Sequence, residues 1–535
     1  MSNVKILDCT LRDGGYINNW NFGKERIRDI VTNLNASNVD IIELGFLDSS
    51  RKADLNNSIL PGTKHFDNLV GKVNNKKASY VCMVSYGACD ISDIEDCCNS
   101  IIDGIRVIFK KNQVTEALDF CKKLKEKGYK VYIQPVPTMT YSDAEILNMI
   151  EYVNEINPEA FSVVDTFGTM YKNDLLRMFY LIDNNLNKDI AIGFHSHNNL
   201  QLSFSNAQEL LFLKTKRNII IDSSVFGMGR GAGNLCTELL TQYINHNIEN
   251  RYNIVPLLEI VDEHLNQIFM KTPWGYSVPY CLAAVSHCHP NYATHLLNKQ
   301  TITVKDINSI LAGIPEEKRT VYDKNYIEEL YLDYQKHNVD DFETVEMVKN
   351  LVKDRNILIL APGKSIVTEA DKINDYIKNH DPVIFSVNFY TDTYPIDMIF
   401  VGNLKRFNNS FNKVHTSSHG KPVVVTSNIS TKAMDKLYVV NYSSCLNDEP
   451  DARDNSVLML LKLLERVDVK AVSFAGFDGF TKKNGDNYYD SNLVNNIEAE
   501  ELVKRTEAIG RSLKKSSHTL KIKFITETNY KEDNS

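Results

Sequence analysis

Between Val4 and Ser224 the chain alternates eight short apolar runs with longer segments of helical periodicity. The runs are VKILD at Val4, VDIIELG at Val39, SYVCMV at Ser79, GIRVIF at Gly104, KVYIQP at Lys130, AFSVVD at Ala160, AIGFH at Ala191 and NIIIDSS at Asn218. Segments between them, such as KERIRDIVTNLNAS and QVTEALDFCKKLKEKG, repeat apolar residues at helical spacing and stop on Asn or Gly. Few architectures accept this alternation. Repeated βα units over about 220 residues fit a closed parallel barrel better than an open sheet.

The chain has 535 residues, too many for one core, since cores stop growing near about 250–300 residues. The pattern predicts an α/β protein in three parts: a (β/α)8 TIM barrel over 1–250, a helical extension over 251–350, and a Rossmann-like α/β domain over 351–530. The last part shows further strand runs, from NILILAPGKSI at Asn356 to AVSFAGFDGF. A net charge of −8 with interspersed signs gives no support to nucleic-acid or anionic-membrane binding. The N-terminus lacks the pattern of a signal peptide and no apolar stretch is long enough to span a membrane, which predicts a cytoplasmic protein. Ten scattered cysteines without CxxC pairs read as reduced core residues.

In such barrels chemistry belongs to the loops after the strands. Ligand-type residues fall there: Asp8, Arg12 and Asp13 after the first run, Glu43 at the end of the second, Asp165 after the sixth, His195 and His197 after the seventh, and Asn234 after the eighth. The i, i+2 spacing of His195 and His197 points both imidazoles to one side of an extended strand end. Two imidazoles and a carboxylate suit Mn2+ or Mg2+, and also zinc or ferrous iron. An isolated HxH is ordinarily just two polar residues at a strand end, and an RDGG alone is a turn. Their co-occurrence in matching strands carries the signal.

Together LDCTLRDGGY, IELGF, DTFG, HSHNN and GRGAGNL resemble the pyruvate-type metal-dependent aldolase and acyltransferase superfamily, the DRE-TIM or HMG-CoA lyase-like barrels. The match runs from Val4 to Leu240 and looks closest to the 4-hydroxy-2-oxovalerate aldolases. The resemblance implies that Asp13, His195 and His197 hold a divalent cation, with Asn234 reaching its shell, and that Arg12 stabilises an enolate oxygen. Glu43 and Asp165 stand where relatives have supporting polar residues. It also implies a 2-oxo acid and an aldehyde as substrates, and a homodimer, since related barrels are often dimers. One departure is Tyr16, where the hydroxy-oxovalerate aldolases have a histidine base; a phenol near pKa ~10 is a poor base at neutral pH. Tyr276, His287 and His289 are the alternative bases by type.

The turn Gly363, Lys364, Ser365 reads as a phosphate cradle for a nucleotide cofactor, though it is not a Walker A motif. LILAPGKSI, FSVNFY with Asn388 and FAGFDGF with Asp478 resemble the nucleotide-sugar-binding fold of bacterial sialyltransferases. That resemblance implies a nucleotide or nucleotide-sugar ligand and a surface-polysaccharide pathway. Other readings are a Claisen-type acyltransferase using acetyl-CoA, a bifunctional enzyme with a nucleotide-sugar transferase domain, and a metal-binding scaffold without turnover.

Overall fold

The computed structural model describes residues 4–71, 76–299, 302–335, 339–404, 406–407, 421–429, 437–481, 487–490 and 499–530. They form two compact units, one of Met1–Thr294 with Leu311–Tyr322, the other of His295–Ile310 with Asp323–Ser535.

In the first unit every one of the eight apolar runs is a strand: β1 (Val4–Asp8), β2 (Ile41–Leu47), β3 (Ser79–Ser85), β4 (Gly104–Phe109), β5 (Lys130–Pro135), β6 (Ala160–Asp165), β7 (Ala191–Ser196) and β8 (Ile219–Ser223). All pair in parallel with their sequence neighbours, and β1 pairs with both β2 and β8, which closes the barrel. A two-residue strand, Ile59–Leu60, adds to β2.

Sequence explains the helices directly. In α1 (Lys24–Ala36), Ile27, Ile30, Val31 and Leu34 recur at helical spacing and are all buried, each contributing about 1.5–3 kcal/mol by leaving water. A second helix, α2 (Asp143–Ile156), starts in a capping box, Ser142 with Glu145, and ends on Asn157 in the left-handed conformation, φ 50°. Near the strand starts the barrel interior is packed with Leu7, Ile41, Val81, Tyr132, Ala160, Ala191 and Ile220. Toward the strand ends it changes character, because Glu43, Arg106 and Asp222 are buried there. Just past Glu43 the β2–β3 register slips. Gly45 makes this possible: it has φ +149°, and a Cβ there would fall 1.8 Å from the Ser58 carbonyl oxygen.

The second unit is built on a parallel sheet of seven strands: β9 (Ile357–Leu360), β10 (Val383–Val387), β11 (Met398–Val401), β12 (Val423–Thr426), β13 (Leu437–Val440), β14 (Ala471–Ala475) and β15 (Lys521–Phe524). Their order is β13-β12-β11-β10-β9-β14-β15, so the chain winds outward from β9 and then crosses to its other side. It is an α/β sheet with its own core. The ten cysteines are all free thiols. No helix among the described residues is long and apolar enough to cross a membrane.

Candidate metal centre and active site

β1 stops at Asp8, whose carboxylate accepts hydrogen bonds from the Thr10 N–H (3.0 Å) and the Thr237 hydroxyl (2.6 Å). The next residues form a turn in which the N–H groups of Arg12 and Asp13 both donate to the Cys9 carbonyl, at 3.0 and 2.8 Å. This turn carries Arg12 and Asp13 onto the mouth of the barrel, where both are buried. His195 and His197 reach the same place from the end of β7, with ring centroids 5.2 Å apart and planes perpendicular. A short antiparallel bridge from His197 brings in Asn234, whose amide donates to Asp13 Oδ2 at 2.8 Å.

Asp13, His195 and His197 each offer one ligand atom, and these lie within 4.8 Å of one another. Asp13 Oδ2 and His197 Nδ1 are 4.0 Å apart, which admits an ion with bonds of about 2.0–2.2 Å to each. Nδ1 of His197 and Oδ1 of Asn234 are buried without a hydrogen-bond partner among the described residues, an expensive state that a cation relieves. Burial alone would raise the Asp13 carboxyl, but Arg12 and the two histidines overcome it and hold the group well below the usual carboxylate range. Burial pushes His197 down to about 3, so its imidazole is neutral and keeps a lone pair to give. The residues present therefore fit a divalent cation.

A line of buried charge supports the cluster from below. Arg12 Nε donates to Glu43 Oε2 at 2.7 Å, and Arg106 Nη1 donates to that same oxygen at 2.8 Å. Arg106 Nη2 donates to Asp222, and Asp222 Oδ2 lies 3.1 Å from His195 Nδ1. That last contact turns Nε2 of His195 toward the cluster and fixes its tautomer. Arg106 and Asp222 were not anticipated from sequence. Their one signal is a charge inside an apolar strand run, GIRVIF and NIIIDSS, where only a buried partner makes it tolerable. Arg12 also keeps one group in reserve: its Nη2 is buried and unpartnered among the described residues.

The other predicted residues divide. Asp165 is buried at the end of β6 but turned into its own loop, accepting the N–H groups of Thr169 (2.8 Å) and Met170 (3.0 Å). Tyr16 stands at the rim, 41% exposed, edge-on to Trp20 and beneath the Arg230 guanidinium, 5.2 Å from the ring centre. His289 comes to the same mouth, its ring 5.7 Å from that of Phe167 in the loop after β6 and stacked on Tyr322. Its Nδ1 accepts the Asn291 N–H at 3.2 Å, which leaves the proton of the neutral ring on Nε2. Tyr276 and His287 are exposed.

Residues 3–262 match the HMGL-like family. The barrel is an HMGL-like domain. Curated relatives include an oxaloacetate decarboxylase of Mycobacterium tuberculosis, 24% identical over 274 residues, with 51% of this chain and 79% of the relative covered. A 4-hydroxy-2-oxovalerate aldolase of Geobacillus genomosp. 3 is 25% identical over 278 residues, covering 50% of this chain and 79% of the relative. Among solved structures, the HMG-CoA lyase of Brucella melitensis aligns with a TM-score of 0.39 at 15% identity, over 49% of this chain and 96% of that one. The HMGL-like match places the barrel in an aldolase/lyase family.

Outside the HMGL-like barrel, Gly363, Lys364 and Ser365 follow β9 in the second unit. The turn differs from a phosphate cradle because its donors are engaged. The Gly363 N–H donates to the Gly476 carbonyl (2.8 Å), and the Ser365 N–H and hydroxyl both donate to the Asp478 carboxylate. The helix that follows, Ser365–Thr368, is only four residues long.

Proposed function

We propose that the barrel is a divalent-cation-dependent lyase that makes or breaks a carbon–carbon bond next to a 2-oxo acid such as pyruvate, with an aldehyde as the other partner. The carrying observation is the buried Asp13–His195–His197 cluster with the unpartnered Nη2 of Arg12 beside it. A bound Mn2+ or Mg2+ supplies Lewis-acid polarisation of the substrate carbonyl. Arg12, locked by Glu43 and Asp13, presents Nη2 to the oxygen on which enolate charge develops, and its preorganisation in a water-poor site is what makes that contact effective. Asp222 and Arg106 keep His195 oriented, and Asn234 holds Asp13.

The test is exchange of the pyruvate methyl protons in deuterated water, followed by NMR. Exchange is expected with Mn2+ or Mg2+, is lost on chelation, and falls at least about a hundredfold in Arg12→Ala and His195→Ala. Exchange that persists in metal-stripped protein sinks the proposal.

A second reading, decarboxylation of a 2-oxo diacid, is favoured by two observations. The phenol of Tyr16 replaces the expected base, and His289 holds its proton on Nε2. Decarboxylation leaves the bonding electrons on the enolate as CO2 departs, so no base is required, and one proton then quenches the enolate. Release of CO2 rather than aldehyde separates the two. For the second unit the reading is a nucleotide or nucleotide-sugar site in a surface-polysaccharide pathway. It is supported by a cavity beyond the ends of β9, β10 and β14, where the strand order reverses, lined by Asn388, Arg406, Ser456, Asp478 and Tyr488. Titration of the full chain with CMP and UDP tests it.

A further inference from the structure

Among the described residues at the barrel mouth, Arg230 is a guanidinium that the cluster's carboxylates do not claim. Arg12 and Arg106 are both tied to acids. Arg230 has no ion pair among the described residues, and its Nε is buried without a hydrogen-bond partner.

The loop holds it firmly in place. Gly229 packs so closely on the metal cluster that a Cβ there would fall 2.2 Å from Asn234 Nδ2 and 2.8 Å from Asp13 Oδ2. On the other side of Arg230, the Ala232 N–H donates to Asn199 Oδ1 at 2.9 Å. Arg230 is therefore anchored within two residues on either side, one anchor being the cluster itself. Its guanidinium lies over Tyr16, and that ring is steadied by Trp20 (4.6 Å) and Phe46 (6.4 Å), while Trp20 Nε1 donates to the Arg12 carbonyl. A cation on an aromatic face is positioned without being neutralised. The positive charge at this rim is shared: besides burial, Arg230 and Lys110 both act against protonation of His289.

Resting on the reading of the barrel as a 2-oxo acid lyase, we propose that Arg230, on its Tyr16 platform, recognises a second anionic group at the far end of the substrate, a carboxylate beyond the 2-oxo acid moiety. The near carboxylate and ketone belong to the cation and Arg12. The far one meets a guanidinium whose fork suits a carboxylate. This gives Tyr16 a positioning role in place of proton transfer.

The experiment compares matched acids on the full chain loaded with Mn2+: 2-oxobutanoate against 2-oxobutanedioate, and 2-oxopentanoate against 2-oxopentanedioate. Calorimetry gives the dissociation constants for wild type, Arg230→Ala, Arg230→Lys and Tyr16→Leu. In wild type the diacid of at least one pair should bind about tenfold to a hundredfold more tightly than its monoacid. That ratio should collapse toward unity in Arg230→Ala, persist in part in Arg230→Lys, and shrink in Tyr16→Leu. Equal binding of both acids by wild type, or a ratio that survives Arg230→Ala, overturns the inference and leaves the lyase reading standing. Failure of every 2-oxo acid to bind overturns both.

Discussion

Asp222 shows how much of a metal site can depend on a residue that never touches the metal. It receives Arg106 and orients His195 through Nδ1, and outer partners of this kind are worth about 10–100-fold in metal affinity. Asp222→Ala should accordingly weaken Mn2+ binding by that factor, as read by titration, while Asp13, His195 and His197 remain in place. His289 makes a separate claim, on stability. In the fold it is pushed down to about 3, by burial first and then by Arg230 and Lys110, against an ordinary 6.5. As pH falls below about 6.5 the unfolded chain takes up a proton that the folded chain refuses, so stability declines progressively toward pH 3. Denaturant melts of His289→Gln should show a shallower decline than wild type over that window. At this scale the sequence was informative about residues whose chemistry is fixed by type and by place along a strand: Asp13, His195, His197, Arg12. It held only a faint signal for Arg106 and Asp222, a charge inside an apolar run, because the value of a buried charge lies in its partner and those partners come from other strands; it was silent about Arg230, whose aromatic platform, Tyr16, comes from the turn after β1.

Among elements, the loop from Phe226 to Asn234 has close tolerances against the metal cluster. Gly229→Ala inserts a methyl where Asn234 Nδ2 and Asp13 Oδ2 already stand. The expected result is a folded protein, by circular dichroism, whose Mn2+ affinity is lost along with proton exchange. Retention of both would show that the loop can retreat from the cluster. The eight barrel strands were legible because each is buried on both faces and so is written as a largely apolar run. β15 was not. Its residues, KIKF, alternate between exposed and half-buried at the edge of the second sheet, and four residues of alternating lysine carry little apolar signal. The turn at Gly363 was legible as a turn after a strand, but the Asp478 carboxylate that engages its donors comes from a distant loop.

At the scale of the whole molecule, the first unit does not end where its barrel does. Leu311–Tyr322 returns to it, and supplies the Arg319 carbonyl to the His289 N–H (2.8 Å), the Tyr322 ring against His289, and the Lys318 and Val321 carbonyls to the Tyr292 hydroxyl. A fragment cut at residue 294 lacks all of these. It should bind Mn2+ through its intact strand ends yet be less soluble and less stable than the full chain, as sedimentation and thermal melts will report; a well-behaved fragment would show the returning segment to be dispensable. The interleaving also sets an order of events during synthesis. His295–Ile310 emerges from the ribosome before the last segment of the first unit, but the strands of the unit to which it belongs begin at Ile357 and reach their sixth member at Ala471–Ala475. At about 5–20 residues per second this segment waits on the order of ten seconds or more for its partners, an interval in which its apolar residues Leu296, Ile302, Ile307 and Ile310 are open to chaperones and to neighbouring nascent chains.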